Sequence, residues 1–306
     1  MNERNILVVA HAGRDDTVAA ARRVVESLRS AGARPVLASD DRKELSAVDS
    51  AFVDVDVLGD RIGVDDLELA IVLGGDGTIL RAAELVRDSG APVLGINMGH
   101  VGFLAEIERD DMDDAVRRVI ARDYEVEERM TLAVRVKDVA GEVVYETWAL
   151  NEATVEKASR ERMIEVVVEI DGRPLTSYGC DGMVVSTPTG STAYNFSAGG
   201  PVIWPGVEAI AVVPLSAHAL FAKPLVVSPQ ASVAIEMLER TSGTGILWCD
   251  GRRSHELPPG ARVVVRRSSR PVRLARLHPA AFTDRLVRKF RLPVAGWRGN
   301  GTEAPA

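Results

Sequence analysis

The stretch ELAIVLGGDGTILRAAELVRDSG, residues 68–90, decides the fold. ELAIVL (68–73) reads as a buried strand, and TILRAAELVRDSG (78–90) reads as a helix closed by Gly90. Between them Gly74, Gly75 and Gly77 surround one carboxylate, Asp76, with Thr78 behind it. Such a turn lies at the carboxyl edge of a parallel sheet, where ligands bind, and the helix N–H groups that follow favour an anion. The three glycines are expected to admit a ligand close to the backbone and to take positive φ.

The flanking sequence repeats the alternation. NILVVAH (5–11), ARPVLAS (33–39) and APVLGIN (91–97) read as strands. DDTVAAARRVVESLRSAG (15–32) and DDMDDAVRRVIARD (110–123) read as helices with acids at their starts and basic residues later, as the helix dipole favours. Strand–helix alternation predicts a Rossmann-like α/β N-terminal domain over residues 1–125. Beyond residue 124 the texture becomes strand-like, in runs such as RMTLAVRVKD, EVVYETWALNEATVE, RMIEVVVEIDGRPL, TGILWCDG and ARVVVRRSSRPVRLARL. These predict a mostly β, two-sheet C-terminal domain over 126–279. AAFTDRLVRKFRL (280–292) is expected to be a helix returning to the first domain, and 293–306 a flexible tail.

Composition sets outer bounds. The 306 residues are 46% apolar and 26% charged, which suits two ordinary globular domains. A net charge of −7 disfavours a nucleic-acid surface. No run of 18 apolar residues suggests a membrane span, and MNERNILVVAHAG reads as a first strand rather than a signal peptide. The two cysteines, Cys180 and Cys249, make neither a disulfide framework nor a metal array, so a reduced, cytoplasmic protein is expected.

Asp76 needs its own account. An ionised carboxylate beside phosphate is repelled unless it takes a proton from an attacking hydroxyl or holds Mg²⁺, and phosphoryl transfer uses both kinds of group. The sequence contains no GxxxxGK[ST] loop, and GGDG does not satisfy GxGxxG. STPTGSTAYNFSAGGP (186–201) is too polar and glycine-rich for a core segment, and its hydroxyls and rings suit a nucleotide base. Asn151-Glu152 sits where a strand turns polar, which an ordinary strand-end turn would also explain. His100 reads as a structural donor in preference to a phosphate or acid–base group. Cys-Asp-Gly occurs at 180–182 and again at 249–251, either as a trace of duplication or because Asp-Gly is a common turn pair.

GGDGT resembles the loop shared by NAD kinases, diacylglycerol-type lipid kinases and, in variant form, ATP-dependent phosphofructokinases. GINMGHVGFLAE (95–106), ALNEATVE (149–156) and YGCDGMVVSTPTGSTAYNFSAGGP (178–201) look like NAD kinase in particular, and the likeness runs from about 5 to 292. The resemblance implies phosphorylation of the adenosine-ribose 2′-hydroxyl of NAD, giving NADP, with ATP or inorganic polyphosphate as donor and Mg²⁺ or another divalent cation. It makes 126–279 the dinucleotide-binding domain and Asp76 the base. It puts Gly74, Gly75, Gly77 and Thr78 around the dinucleotide and the donor phosphates, and Phe103 at the adenine half. Asn151 would bond the adenine and Glu152 a ribose hydroxyl, while Thr192, Ala193, Tyr194 and Ser197 would line the adenine pocket. Asp181 would reach the nicotinamide end, often that of a neighbouring subunit, with Asp250 a weaker candidate there. A homo-oligomer, dimer or tetramer, is implied, with no nucleic-acid or membrane partner. Gly179 is a hint of a less selective donor site. The competing readings are a lipid kinase and a catalytically silent NAD sensor.

Overall fold

All six residues of β1 (Asn5–Ala10) are buried, which is what a central parallel strand covered on both faces requires. The chain continues through α1 (Asp15–Ser30), β2 (Arg34–Leu37), α2 (Ser39–Val48), β3 (Asp56–Val57), β4 (Leu67–Leu73), α3 (Asp76–Leu85), β5 (Val93–Asn97), β6 (Ile107–Glu108), α4 (Met112–Ala121) and β7 (Glu125–Arg129). Next come β8 (Leu132–Lys137), β9 (Val143–Ala149), β10 (Glu152–Lys157), β11 (Ile164–Ile170), β12 (Arg173–Cys180), β13 (Gly182–Ser186), α5 (Tyr194–Ser197), β14 (Ile210–Leu215), β15 (Leu225–Val227), β16 (Val233–Met237), β17 (Gly245–Cys249), β18 (Arg253–Leu257) and β19 (Arg262–Arg267). Last are β20 (Val272–Arg276) and α6 (Phe282–Phe290). This computed structural model describes residues 4–99, 102–159, 162–219, 221–241, 243–277 and 281–294. Its contacts divide the chain into two units, one running to Glu127 and resuming at Leu274, the other Glu128–Arg273. The sequence reading put these divisions at 125/126 and 279/280.

In the first unit the sheet order is β3-β2-β1-β4-β5, all parallel neighbours, continuing to β20 and β7 with β6 beside β5. The order reverses between β1 and β4, so the carboxyl end of β4 lies at the topological switch point, where such sheets leave a crevice. Alternate residues Ile6, Val8, Leu69, Ile71, Leu73, Leu94 and Ile96 share a core with Ala20, Ala21, Val24, Val25 and Leu28 of α1 and with α4. The 3.6-residue spacing of those α1 positions is what the sequence pattern registers. α2 is absent from the sequence reading. Its only buried residues are Asp41 and Leu45, too few to set up an apolar period.

The second unit is two six-stranded sheets, β15-β14-β13-β10-β17-β18 and β12-β11-β16-β19-β8-β9, built from antiparallel pairs. Their inner faces form one core, with Val134, Val166, Ile235 and Val263 from one sheet and Val155, Val185, Val212 and Leu247 from the other. Two runs read as single strands are broken. EVVYETWALNEATVE divides at Leu150-Asn151 into β9 and β10, which belong to different sheets. ARVVVRRSSRPVRLARL divides into β19 and β20, and β20 pairs in parallel with β5 of the first sheet, Leu274 opposite Val93. α6 lies in the first unit, with its Phe282 and Phe290 rings 6.0 and 5.8 Å from the Phe103 ring. The tail expected to be flexible falls, from 295 on, outside the described residues.

One ion-pair cluster ties the start of β4 to the end of α4. Glu68 accepts from Arg4 at 2.6 Å and from Arg122 at 2.8 Å, while Arg4 also donates to the carbonyls of Val119 and Ile120. The Arg4 bond, more than the Arg122 bond, pulls the Glu68 carboxyl from an ordinary 4.5 down to about 2. A depressed acid stabilises the fold fully above 4.5 and loses that contribution as pH falls towards about 2. Glu68→Gln is therefore expected to lower the melting temperature at pH 6–7 and to match the parent chain near pH 2. Thermal melts across that range check it, and equal offsets at both ends would refute it.

Candidate functional site

In the first unit the site is built where β4 gives way to α3. The helix begins at Asp76, two residues before the sequence reading, so the carboxylate occupies the first turn, where the helix dipole favours a negative charge. Gly74, Gly75 and Gly77 all lack the positive φ expected of them. Gly74 is needed for another reason. A Cβ there would stand 2.4 Å from Thr78 Oγ1, so the residue is small to let the threonine fold back. At Gly75 and Gly77 a Cβ would meet nothing within 4 Å, and both residues are exposed, so this rim is open to a ligand. Arg81, one turn on, pairs with the buried Asp41 of α2 at 2.5 Å and anchors the helix. Burial pushes the Asp41 carboxyl up, against the pull of Arg81.

The Asp76 carboxylate is held at both oxygens. Phe103 N–H donates to Oδ2 and Leu104 N–H to Oδ1, each at 3.0 Å. Gly102 makes this possible, because a Cβ on it would lie 2.3 Å from Oδ1. Sequence reasoning missed Gly102 as a site residue, and its signal was the second glycine of GHVGF. Phe103, expected at the adenine half of a ligand, is 8% exposed, and its ring packs with Phe282 and Phe290. His100 lies outside the described residues.

In the second unit Asn151, Glu152, Asp250 and the 186–201 segment converge. The segment reads in sequence as too polar and glycine-rich for a core, yet part of it is buried. After β13 it forms a short 3₁₀ turn at Thr189–Thr192 and then α5, with Ser186, Thr187, Ser191 and Asn195 fully buried. Buried hydroxyls need partners, and those of Thr187 and Ser191 find backbone, whereas Ser186 Oγ has none. Thr187 Oγ1 donates to Leu150 O at 2.5 Å and accepts from Gly190 N at 3.1 Å. Ser191 Oγ donates to Pro188 O and accepts from Ile203 N, while Asn195 Nδ2 bridges the carbonyls of Ser191 and Pro201. Gly190 lies flat on Asn151, whose carbonyl oxygen would be 2.0 Å from any Cβ. The outward side of the segment holds half-buried Thr192 and Ala193 and exposed Tyr194 and Ser197.

Asp250 has an internal role rather than the ligand-facing one considered for it. It is 7% exposed and accepts from Leu150 N at 2.9 Å, Asn151 N at 2.7 Å and Arg253 Nη2 at 2.6 Å. It thus fixes the backbone leading to Glu152, while Arg253 stacks 4.4 Å over the Trp148 ring. Glu152 is also buried. It bonds to the backbone of Tyr194, and its Oε2 has no partner. Burial first, then the Asp250 charge, lifts its carboxyl to about 8. Burial raises Asp250 too, against the pull of its N–H donors and Arg253. With three donors on Asp250, the negative charge settles there and the proton on Glu152. A protonated Glu152 can donate as well as accept a hydrogen bond.

Asp181 pairs with Lys157 at 2.5 Å, a partner that sequence reasoning did not name, and its charge reaches Tyr194 along with that of Glu156. The two Cys-Asp-Gly copies are structurally unlike. At 249–251 the motif turns a hairpin between β17 and β18, with Asp250 and Gly251 at positive φ, whereas at 180–182 it passes from one sheet to the other. That difference gives the duplication no support. Both cysteines are fully buried, which pushes each thiol up to about 12.

Residues 6–124 match the family model for the ATP-NAD kinase N-terminal domain, and residues 150–277 match that for the C-terminal domain. α6 lies beyond both spans. The chain is 66% identical to an NAD kinase of Leifsonia xyli over 297 residues, 97% of each chain. It is 57% identical to NAD kinase 2 of Streptomyces coelicolor, again over 97% of each. Its fold resembles that of a yeast NADH kinase solved with NADH, at TM-score 0.84 and 21% identity, covering 99% of this chain and 90% of that one. It also resembles an NAD kinase from Archaeoglobus fulgidus solved with ATP, at TM-score 0.69 and 24% identity, covering 94% and 98%.

The Glu152 environment has a pH signature. A carboxyl whose folded pKa is raised costs nothing below the ordinary 4.5, and destabilises the fold increasingly as pH rises from there to about 8. Glu152→Gln removes that cost. In the ligand-free protein the variant is expected to gain melting temperature relative to the parent chain between pH 5 and 8, with no further gain above. A constant difference across this range would show that Glu152 ionises normally.

Proposed function

This chain belongs to the NAD kinase family and phosphorylates NAD to NADP with a nucleotide phosphoryl donor; from that premise we propose that Asp76 is the base that takes the proton from the ribose 2′-hydroxyl. The carrying observation is the posture of its carboxylate, fixed by the amides of Phe103 and Leu104 at the mouth of an exposed glycine rim. Each oxygen accepts one N–H and keeps a lone pair for a hydroxyl proton. In the reaction the 2′-oxygen bonds to the terminal phosphorus of the donor. The bond from that phosphorus to the bridging oxygen breaks, and the proton passes to Asp76. Positioning supplies much of the rate in such a transfer.

In the same reading the second unit recognises the adenosine half. Asn151 bonds the adenine, Glu152 a ribose hydroxyl, and Thr192, Ala193, Tyr194 and Ser197 line the base. The burial of Phe103 against α6 argues against its ring as an adenine contact. A divalent cation, Mg²⁺ by preference, enters as part of the donor substrate. Among the described residues no three His, Cys, Asp or Glu side chains cluster to hold a metal, which suits a cation that rides on phosphates. Cytoplasmic location and a homo-oligomeric state belong to this reading, the latter because the resemblance sends Asp181 towards a neighbouring subunit. Among the described residues no helix is long and apolar enough to cross a membrane.

Asp76→Asn is expected to cut NADP formation by roughly 10²–10⁴-fold while calorimetric NAD affinity stays within about threefold. Turnover within tenfold of the parent chain would sink the base assignment. Inorganic polyphosphate belongs to the proposal as a second donor, because a Cβ at Gly179 would come no nearer than 3.7 Å to another residue, at Met163, which leaves the position uncrowded. NADP formation with polyphosphate as the only phosphate source is the expected result, and activity with ATP alone would remove it.

A further inference from the structure

Helix α6 is tied to the loop that grips Asp76. Arg285 Nη1 donates to the Phe103 carbonyl at 2.9 Å. That carbonyl belongs to the peptide group whose N–H, that of Leu104, donates to Asp76 Oδ1. One peptide plane therefore carries a cation at its oxygen and a carboxylate at its hydrogen, and hydrogen bonds in series strengthen one another. Glu106 holds the other side of the loop. It is 2% exposed, accepts from Arg276 at 2.7 Å and from Leu277 N at 2.7 Å, and lies 3.8 Å from Arg285. The Phe282 and Phe290 rings flank the Phe103 ring from the same helix.

We infer that Arg285 is a positioning residue for catalysis, acting through the 103–104 peptide to fix the Asp76 carboxylate. The inference rests on Asp76 being the base. In this role Arg285 acts through that peptide. Its effect belongs on turnover rather than on NAD affinity, because the groups assigned to adenosine recognition lie mainly in the other unit.

Replacing Arg285 by Ala is expected to lower kcat roughly tenfold or more, since small misplacements of reacting groups are costly, with KM for NAD within twofold. Amide hydrogen exchange at Phe103 and Leu104 should quicken in the same protein. Arg285→Lys, which keeps a cationic donor for the carbonyl, should recover most of kcat. Arg288→Ala, an exposed change on the same helix, should match the parent chain. A folded Arg285→Ala with kcat unchanged overturns the inference, and so does a fall in kcat without faster exchange. If Arg285→Ala gives no cooperative melt, Arg285→Met, which keeps the aliphatic stem and removes the donors, carries the same comparison. Asp76→Asn assayed in parallel separates the two claims. Persistent turnover there removes the base, whereas the exchange measurement reports on the Arg285 tie alone.

Discussion

Two backbone amides on one carboxylate organise the first unit's site. Asp76 starts a helix at the switch point of a parallel sheet, and its oxygens are taken up by Phe103 N–H and Leu104 N–H. A carboxylate among phosphates would be repelled and would swing away if left to its own rotamers. Two charge-assisted bonds, together worth about 3 kcal/mol or more, hold it where the sheet topology puts it. They also explain neighbouring features that otherwise look unrelated. Gly102 must lack a side chain, the 102–106 loop must be pinned from outside, and α6, arriving from the far end of the chain, does the pinning.

The second unit meets a related problem by different means. It buries polar groups inside a β sandwich, where unpaired polar atoms are costly. Hydroxyls of Thr187 and Ser191 and the Asn195 amide are spent on backbone, which makes the 186–201 segment rigid. Asp250 keeps a buried charge by collecting N–H groups and Arg253. Burial, aided by that charge, raises the Glu152 carboxyl to about 8 and keeps it protonated near neutral pH. Glu152 Oε2 is one of the buried polar atoms of this cluster without a partner, with Ser186 Oγ and Asn195 Oδ1.

Much of this was legible in the sequence, for definite reasons. Buried strands such as Asn5–Ala10 and the amphipathic α1 announce themselves by period, and glycines around Asp76 announce a loop. What was not legible lacks a periodic or compositional trace. α2 buries only Asp41 and Leu45, so it is silent. The split at Leu150-Asn151 and the return of β20 to the first sheet depend on partners 99 or more residues away, such as Asp250 for the first and Val93 for the second. The polar 186–201 segment misled because composition counts hydroxyls as solvent-seeking. It cannot see that backbone carbonyls are waiting for them.

The glycines sharpen this point about what a sequence conceals. Gly102, Gly190 and Gly200 are absent from the left-handed backbone positions, so no turn requires them. Each is small because a neighbour occupies the place of its side chain: Asp76 Oδ1 at 2.3 Å, the Asn151 carbonyl oxygen at 2.0 Å and Asn195 Oδ1 at 2.4 Å. A glycine of this kind tolerates any φ and still refuses alanine, because the obstacle is an atom and not a torsion. The atoms concerned belong to the proposed base, to the strand start that carries Asn151 and Glu152, and to the amide that closes the 186–201 segment. At these three positions glycine records close packing against polar groups. Gly74 of the GGDG pattern is a fourth case, small because Thr78 Oγ1 would lie 2.4 Å from its Cβ and not because its torsion requires it.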